Sequence, residues 1–321
     1  MKKLAIVSCL VCMLVMLCSL CAAEGSIPHS YLSAEEAADV LRNLDGYYEN
    51  ISLRCLQYFM QDKNPTPEAY IEYSAGQALD FTAEETAAID AAVASIEQKL
   101  TAAGMKLPDN VAVSFAKTTM MEALGAAGYT HGTTVFLGGD ALAWYLTAGE
   151  ESAQELEVLV AHELFHCLTR NNPEFRKDMY ALIHFTVEDE EFVIPEEVRA
   201  QMISNPDVGR HDSHALFTIN GEQKDCYFVF LTQDAFEQPG DTFFSGMYTG
   251  LVDIADGTLY HQAEASDFYD VVGRNTAYCE DPEECMATNF SYAVVFGMEL
   301  PNGGTYPSPE IIEGIIACMQ K

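Results

Sequence analysis

The run His162-Glu163-Leu164-Phe165-His166 constrains this chain more than any other feature, because its residues act together only on a helix. Side chains four positions apart on a helix stand one above the other, so His162 and His166 can both reach one point. Two neutral imidazoles converging there are the ligands of a divalent transition metal, zinc above all. Glu163 sits one position along and points at the open coordination position, where a water would stand. Zinc brings the pKa of such a water toward ~7, and a carboxylate beside it takes the proton as general base. Leu159, Val160 and Ala161 before the motif, and Cys167 and Leu168 after it, are uncharged, as a helix buried behind a cleft requires. The plain structural alternative is a pair of histidines hydrogen-bonded on a buried helix. The capping pattern Ser152-Ala153-Gln154-Glu155 is expected to start this helix.

A catalytic zinc takes three protein ligands, so one more carboxylate or histidine is needed. The acidic run Glu188-Asp189-Glu190-Glu191 lies closest, although such a run reads more simply as a solvated turn. Glu284 stands at the start of a helical pattern opened by Asp281-Pro282, where it could also serve as the N3 member of a capping box.

Val160-Ala161-His162-Glu163-Leu164-Phe165-His166, taken with Pro282-Glu283-Glu284-Cys285-Met286-Ala287-Thr288-Asn289-Phe290, resembles the gluzincin metallopeptidases, thermolysin-like and lethal-factor-like members alike. The resemblance covers these two short segments. It implies Glu284 as third zinc ligand, with Ala287 and Phe290 on the packing side of its helix, and a zincin-like catalytic core. Metzincins would carry Gly and His at the positions of Thr169 and Asn172, and neither is present. The family usually has an acidic residue four positions after the ligand, orienting a zinc histidine. Thr288 stands there instead, with Asn289 beside it, which weakens the basicity such a partner confers. The resemblance also implies Tyr278 as the donor to the oxyanion, with Tyr269 and His261 as rivals. It further implies that the strand before the zinc helix, Thr133 to Leu137, lines the cleft and pairs with an extended substrate, with His131 at its start.

The remaining pattern is α+β. From Ser33 to about Gly104 it is helical, with capping boxes at Ser33-Ala34-Glu35-Glu36 and Thr82-Ala83-Glu84-Glu85 separated by Asn64-Pro65-Thr66-Pro67. Val111 to Phe115 alternates as a strand. A helix running to about Ile183 follows the zinc helix, strand-like runs occur at Ala215 to Ile219 and Tyr227 to Leu231, and helices return at Pro282 to Met298 and Pro309 to Met319. The expected organisation is a helical N-terminal region over 24–110 and a catalytic domain over 111–321, with a long insertion at about 186–265. Asn205-Pro206-Asp207 and Gly273-Arg274-Asn275-Thr276 read as turns.

Met1-Lys2-Lys3, the apolar run Leu4 to Cys21 and the exit Cys21-Ala22-Ala23 form the tripartite pattern of a secretory signal over 1–23. A retained anchor or a lipid on Cys18 or Cys21 is the alternative, and no later stretch is long and apolar enough to span a bilayer. The formal charge of −33 over 321 residues opposes binding to nucleic acid or to anionic membranes. Cys55, Cys167, Cys226, Cys279, Cys285 and Cys318 lie beyond the signal without any Cys-x-x-Cys pair, so a thiolate zinc site is not expected. Cys279 and Cys285 could close a small loop, with free buried thiols as the alternative. The sequence is therefore read as a secreted or cell-surface zinc hydrolase cleaving peptides. The rivals are an enzyme for other amides or esters and a non-catalytic surface protein with a degenerate site.

Overall fold

The computed structural model describes residues 27–44, 46–109, 111–147, 149–300 and 303–321. The signal-like segment lies outside them. Helices α1 (Ala34–Arg42), α2 (Tyr47–Asn50), α3 (Leu53–Met60), α4 (Pro67–Ala75) and α5 (Ala83–Ala102) fill the N-terminal third, with strands β1 (His29–Tyr31) and β2 (Ala78–Leu79). Ser33 and Thr82 form the two expected capping boxes, each accepting from the backbone N–H of a glutamate three residues on.

Strands β3 (Val113–Thr118), β4 (Gly128–His131) and β5 (Thr134–Gly138) join β1 in a sheet of order β1-β3-β5-β4, with β2 antiparallel to β3. Strands β1, β3 and β5 run parallel, and β4 returns antiparallel to β5 on the edge. Helix α6 (Gly139–Thr147) leads to α7 (Glu150–Asn171), which carries the histidine motif, and α8 (Pro173–Ala181) follows. Residue Asn172, extended before Pro173 at φ −135°, separates the two helices, because the proline ring excludes a helical conformation from the residue before it.

A second sheet, ordered β10-β9-β8-β7-β6, is antiparallel throughout. Its strands are β6 (Thr186–Val187), β7 (Ser213–Ile219), β8 (Glu222–Thr232), β9 (Met247–Asp253) and β10 (Leu259–His261), and it occupies the stretch read as an insertion. The short helices α9 (Glu196–Arg199) and α10 (Phe268–Val271) flank it, and α11 (Pro282–Val295) and α12 (Pro309–Met319) close the chain. The class is mixed α+β. Among the described residues no helix is long and apolar enough to cross a membrane.

Helix α7 is the axis of the core. It packs on α5 and on α11, and Leu156, Val160, Leu164, Phe165 and Leu168 recur at helical spacing on its buried side. Ala287 is fully buried on α11, and Phe290 meets Phe165 with ring centroids 5.3 Å apart. Ile27, Ile89, Val93 and Ile96 belong to the same core as Val160 and Phe290. The main core therefore crosses the boundary expected near residue 110, and the N-terminal region supplies both a strand and a packing helix to it. The expected start of the histidine helix is corrected. Ser152 lies inside α7, its hydroxyl donating to the carbonyls of Tyr145 and Gly149, and Gly149 precedes the first turn. The six cysteines are free thiols, with Cys279 Sγ and Cys285 Sγ 3.4 Å apart.

Candidate metal centre

Helix α7 places His162 and His166 on one face, and α11 brings Glu284 against them. Asp281 caps α11 by accepting from the Glu283 N–H, and Pro282 takes the first helical position, where no N–H is needed. The Glu284 side chain does not fold back to complete a capping box. Its Oε2 lies 3.0 Å from His162 Nε2 and 3.8 Å from His166 Nε2, and its Oε1 accepts from Asn205 Nδ2 at 2.6 Å. Donor atoms of His162, His166 and Glu284 all lie within 4.8 Å of one another. Ligands at zinc-like bond lengths around a tetrahedral ion are about 3.3 Å apart, so these separations bracket what an ion would set.

His166 is fully buried, and its two nitrogens differ. Nδ1 is 3.0 Å from Glu283 Oε1, which fixes the ring, whereas Nε2 has no hydrogen-bond partner and faces the Glu284 carboxylate. A buried polar atom without a partner is costly unless something absent satisfies it, and a ring held through Nδ1 with Nε2 free is how a ligating histidine is presented. Glu283 accepts in addition from Thr169 Oγ1 and from the Tyr180 hydroxyl, and Arg176 stands 4.0 Å away. The orienting carboxylate is thus the neighbour of Glu284 in sequence, not the residue at 288, and Asn289 is engaged with the Cys285 carbonyl and with Asn275.

Glu163 is buried beside the pair, its Oε2 accepting from Thr130 Oγ1 at 2.7 Å. Thr130 belongs to β4, the edge strand. The strand facing the site is therefore β4, while the stretch expected to line the cleft, Thr133 to Leu137, is paired on both sides. A Cβ at Gly128 would come within 3.1 Å of Glu163 Oε1 and 3.2 Å of the Phe136 carbonyl, so glycine permits this close approach.

Asp207, from the Asn205-Pro206-Asp207 turn, is also at the site. Its Oδ1 accepts from the Thr130 N–H at 2.6 Å and lies 3.9 Å from His166 Nε2, and donor atoms of Glu163, His166 and Asp207 form a second close group. Burial, reinforced by the charge of Asp207, pushes Glu163 up to about 8. Burial likewise raises Asp207 to about 6, against the attraction of His166. Glu284 is held down to about 2 despite burial, chiefly by its hydrogen bond with His162. Both histidines are raised: burial opposes this, but Glu284 prevails at His162, as Asp207 and Glu283 do at His166. Four carboxyl groups around two imidazoles crowd the site with acidic oxygens and ring nitrogens, a donor set that would suit a divalent cation.

Tyr278 lies at the mouth, 41% exposed, with its ring 6.3 Å from that of His162. Its rivals are engaged elsewhere, His261 stacked on Tyr248 and Tyr269 beneath Arg274. His131 packs against the rings of Tyr47, Tyr129 and Phe136 and lines a cavity with Arg170 and Pro206. The acidic run is not drawn in: Glu188 pairs with His214 and Glu191 with Arg210. Comparison with family models, with curated proteins and with solved structures finds no match to this chain.

Proposed function

We propose that this chain is an exported zinc metallopeptidase with a zincin-like core, in which His162, His166 and Glu284 hold the ion. One observation carries the reading: the unpartnered Nε2 of buried His166, aimed at Glu284 Oε2 with His162 Nε2 completing the triangle. Bound there, zinc would acidify a water and polarise a substrate carbonyl. The rest is the work of the chain. Glu163, held by the hydrogen bond from Thr130, takes a proton from the attacking water and returns it to the leaving amine. Glu283 fixes the tautomer of His166. Tyr278, half-exposed above His162, can donate to the developing oxyanion. Edge strand β4 offers a backbone on which an extended peptide can lie, which favours peptides over small amides as substrates. Export rests on the segment from Met1 to Ala23.

The test is metal content and turnover measured together. The wild-type protein should carry about one zinc per chain, and His162→Ala, His166→Ala or Glu284→Gln should lower that well below one. Glu163→Gln should keep its zinc and lose turnover by ~10²–10⁴-fold or more. Full zinc in both histidine variants, or an active Glu163→Gln protein, refutes the reading.

A further inference from the structure

Arg170 stands one turn beyond His166 on α7, and Arg199 closes α9. Among the described residues neither guanidinium forms an ion pair with a carboxylate. Arg170 donates through Nη2 to the carbonyls of Pro206 and Asp207 at 3.2 and 2.9 Å, while its Nη1 is buried without a partner. The Arg199 side chain reaches Asn50 Oδ1 at 3.5 Å and makes no other hydrogen bond. The sequence holds 49 acidic residues and 16 basic ones, so scarcity does not explain two arginines without an acidic partner. A planar guanidinium kept from internal carboxylates is free to take one from outside, and a buried N–H without a partner is costly until something fills that place.

Both arginines line one cavity of about 320 Å³, within the range of small-ligand sites. His131 lines it too, and burial together with the charge of Arg170 pushes that ring down to about 3, so it is neutral and offers one N–H. Ile203 and Phe230 add apolar wall, against which the methylenes of a side chain can lie. Three acidic residues also border the space. Glu191 is matched by Arg210 at 3.5 Å, and burial pushes Glu280 and Asp281 up to about 8, so neither brings a full charge at neutral pH. The cavity adjoins the metal centre. Asn205 borders it and holds Glu284 Oε1, and His131 follows Thr130, which holds Glu163.

We infer that this cavity is a subsite for a peptide carboxylate, either an acidic side chain or the free C-terminus of the substrate, with Arg170 and Arg199 as its cationic donors. The inference rests on the metallopeptidase reading above and gives it a substrate class: peptides carrying an anionic group close to the cleaved bond. A body with a formal charge of −33 repels such peptides at long range, so their acceptance needs cations gathered at the point of contact. Two guanidinium groups beside an apolar wall supply them, where water screens the attraction less than at an open surface.

Zinc-loaded full-length protein and a set of matched peptides test it. Members of the set differ by Glu against Gln at one position, or by a free against an amidated C-terminus. Wild-type kcat/KM should favour the carboxylate ~10–100-fold at one of these places, as a charge-assisted hydrogen bond would. A preference for Glu at an internal position identifies a side-chain subsite, and a preference for acid over amide identifies the C-terminus. Arg199→Gln should bring the ratio to about one while zinc stays at about one per chain, and Arg199→Lys, which keeps the charge but not the fork, should retain part of it. A wild type that cleaves peptides without any carboxylate preference, or a preference unchanged in zinc-loaded Arg199→Gln, overturns the inference. Should Arg199→Gln lose its zinc, the wild-type ratio decides: it should shrink as NaCl is raised, and a ratio indifferent to salt overturns the inference. A zinc-loaded wild type that cleaves none of the set overturns the metallopeptidase reading itself.

Discussion

The seam between α7 and α11 and the second sheet are both closed to solvent, yet they are filled in opposite ways. Around the sheet, Phe185, Phe217, Phe228 and Phe268 pack ring against ring at 5.0 to 6.2 Å. In the seam, the same degree of burial encloses Glu163, His166, Thr169, Glu283 and Glu284. Apolar burial stabilises in proportion to area, whereas a buried charge costs free energy unless partners repay it, and hydrophobic residues of similar volume often do as well or better. The difference teaches that the sheet is built for stability and the seam for something else. Replacing a residue in each should therefore injure different properties.

The largest effect on stability belongs to the sheet. Phe217 is fully buried with three aromatic neighbours, and Phe217→Ala should cost ~3–5 kcal/mol in a denaturant titration while leaving zinc affinity within a few-fold of wild type. A large loss of zinc affinity in that variant would break the comparison. The seam should respond the other way. Glu283→Gln keeps the shape of the partner on His166 Nδ1 but removes its charge, so zinc affinity should fall ~10–100-fold in competition with a chelator. Unaltered affinity would reduce Glu283 to a structural partner of Tyr180 and Thr169.

The two regions also differ in how much of them could be read in the sequence. Local pattern marked β7 and β8 through their strand-like runs, and the histidine motif through its spacing of four, because both signals lie within one element. Glu284 needed the likeness to a known family, since nothing local ties α11 to α7. Glu283 was passed over for Thr288: a helix position four along looked equivalent to one turn of support, but Glu283 reaches His166 from the first turn of α11. Asp207 stood within a turn noted only for its proline. Its approach to Thr130 and His166 is set by the path of the second sheet, and no spacing records that. Edge strand β4 was missed because Gly128 to His131 is too short to show alternation, and so the substrate-facing role fell one strand inward.

The smallest effect sharpens the comparison through pH. In the metal-free seam, burial and mutual repulsion hold Glu163, Glu280 and Asp281 near about 8 and Asp207 near about 6, all above the ordinary carboxylate range. Each keeps a proton in the fold that the unfolded chain has already released by pH ~5. Between that pH and about 8 the folded state binds more protons, and stability falls as pH rises. The histidines act in the same direction: raised by their carboxylate partners, they contribute stability that is lost as pH climbs through their folded values. Glu284, held near about 2, acts oppositely, and its contribution is lost only in acid. Titrations outside the seam, such as that of His211 just before β7, which burial lowers to about 4, are common to metal-free and zinc-loaded protein and cancel between them. A divalent ion in the seam favours ionised carboxylates and neutral imidazoles, removing the reason for the slope. The melting midpoint of the chelated protein should therefore drop by ~3 °C or more from pH 5 to pH 8, as ~1 kcal/mol moves a chain of this size by a few degrees. The zinc-loaded protein should lose much less over the same range. Parallel slopes with and without zinc would mean that the acidic seam does not hold the ion, and that its buried carboxylates answer to the fold alone.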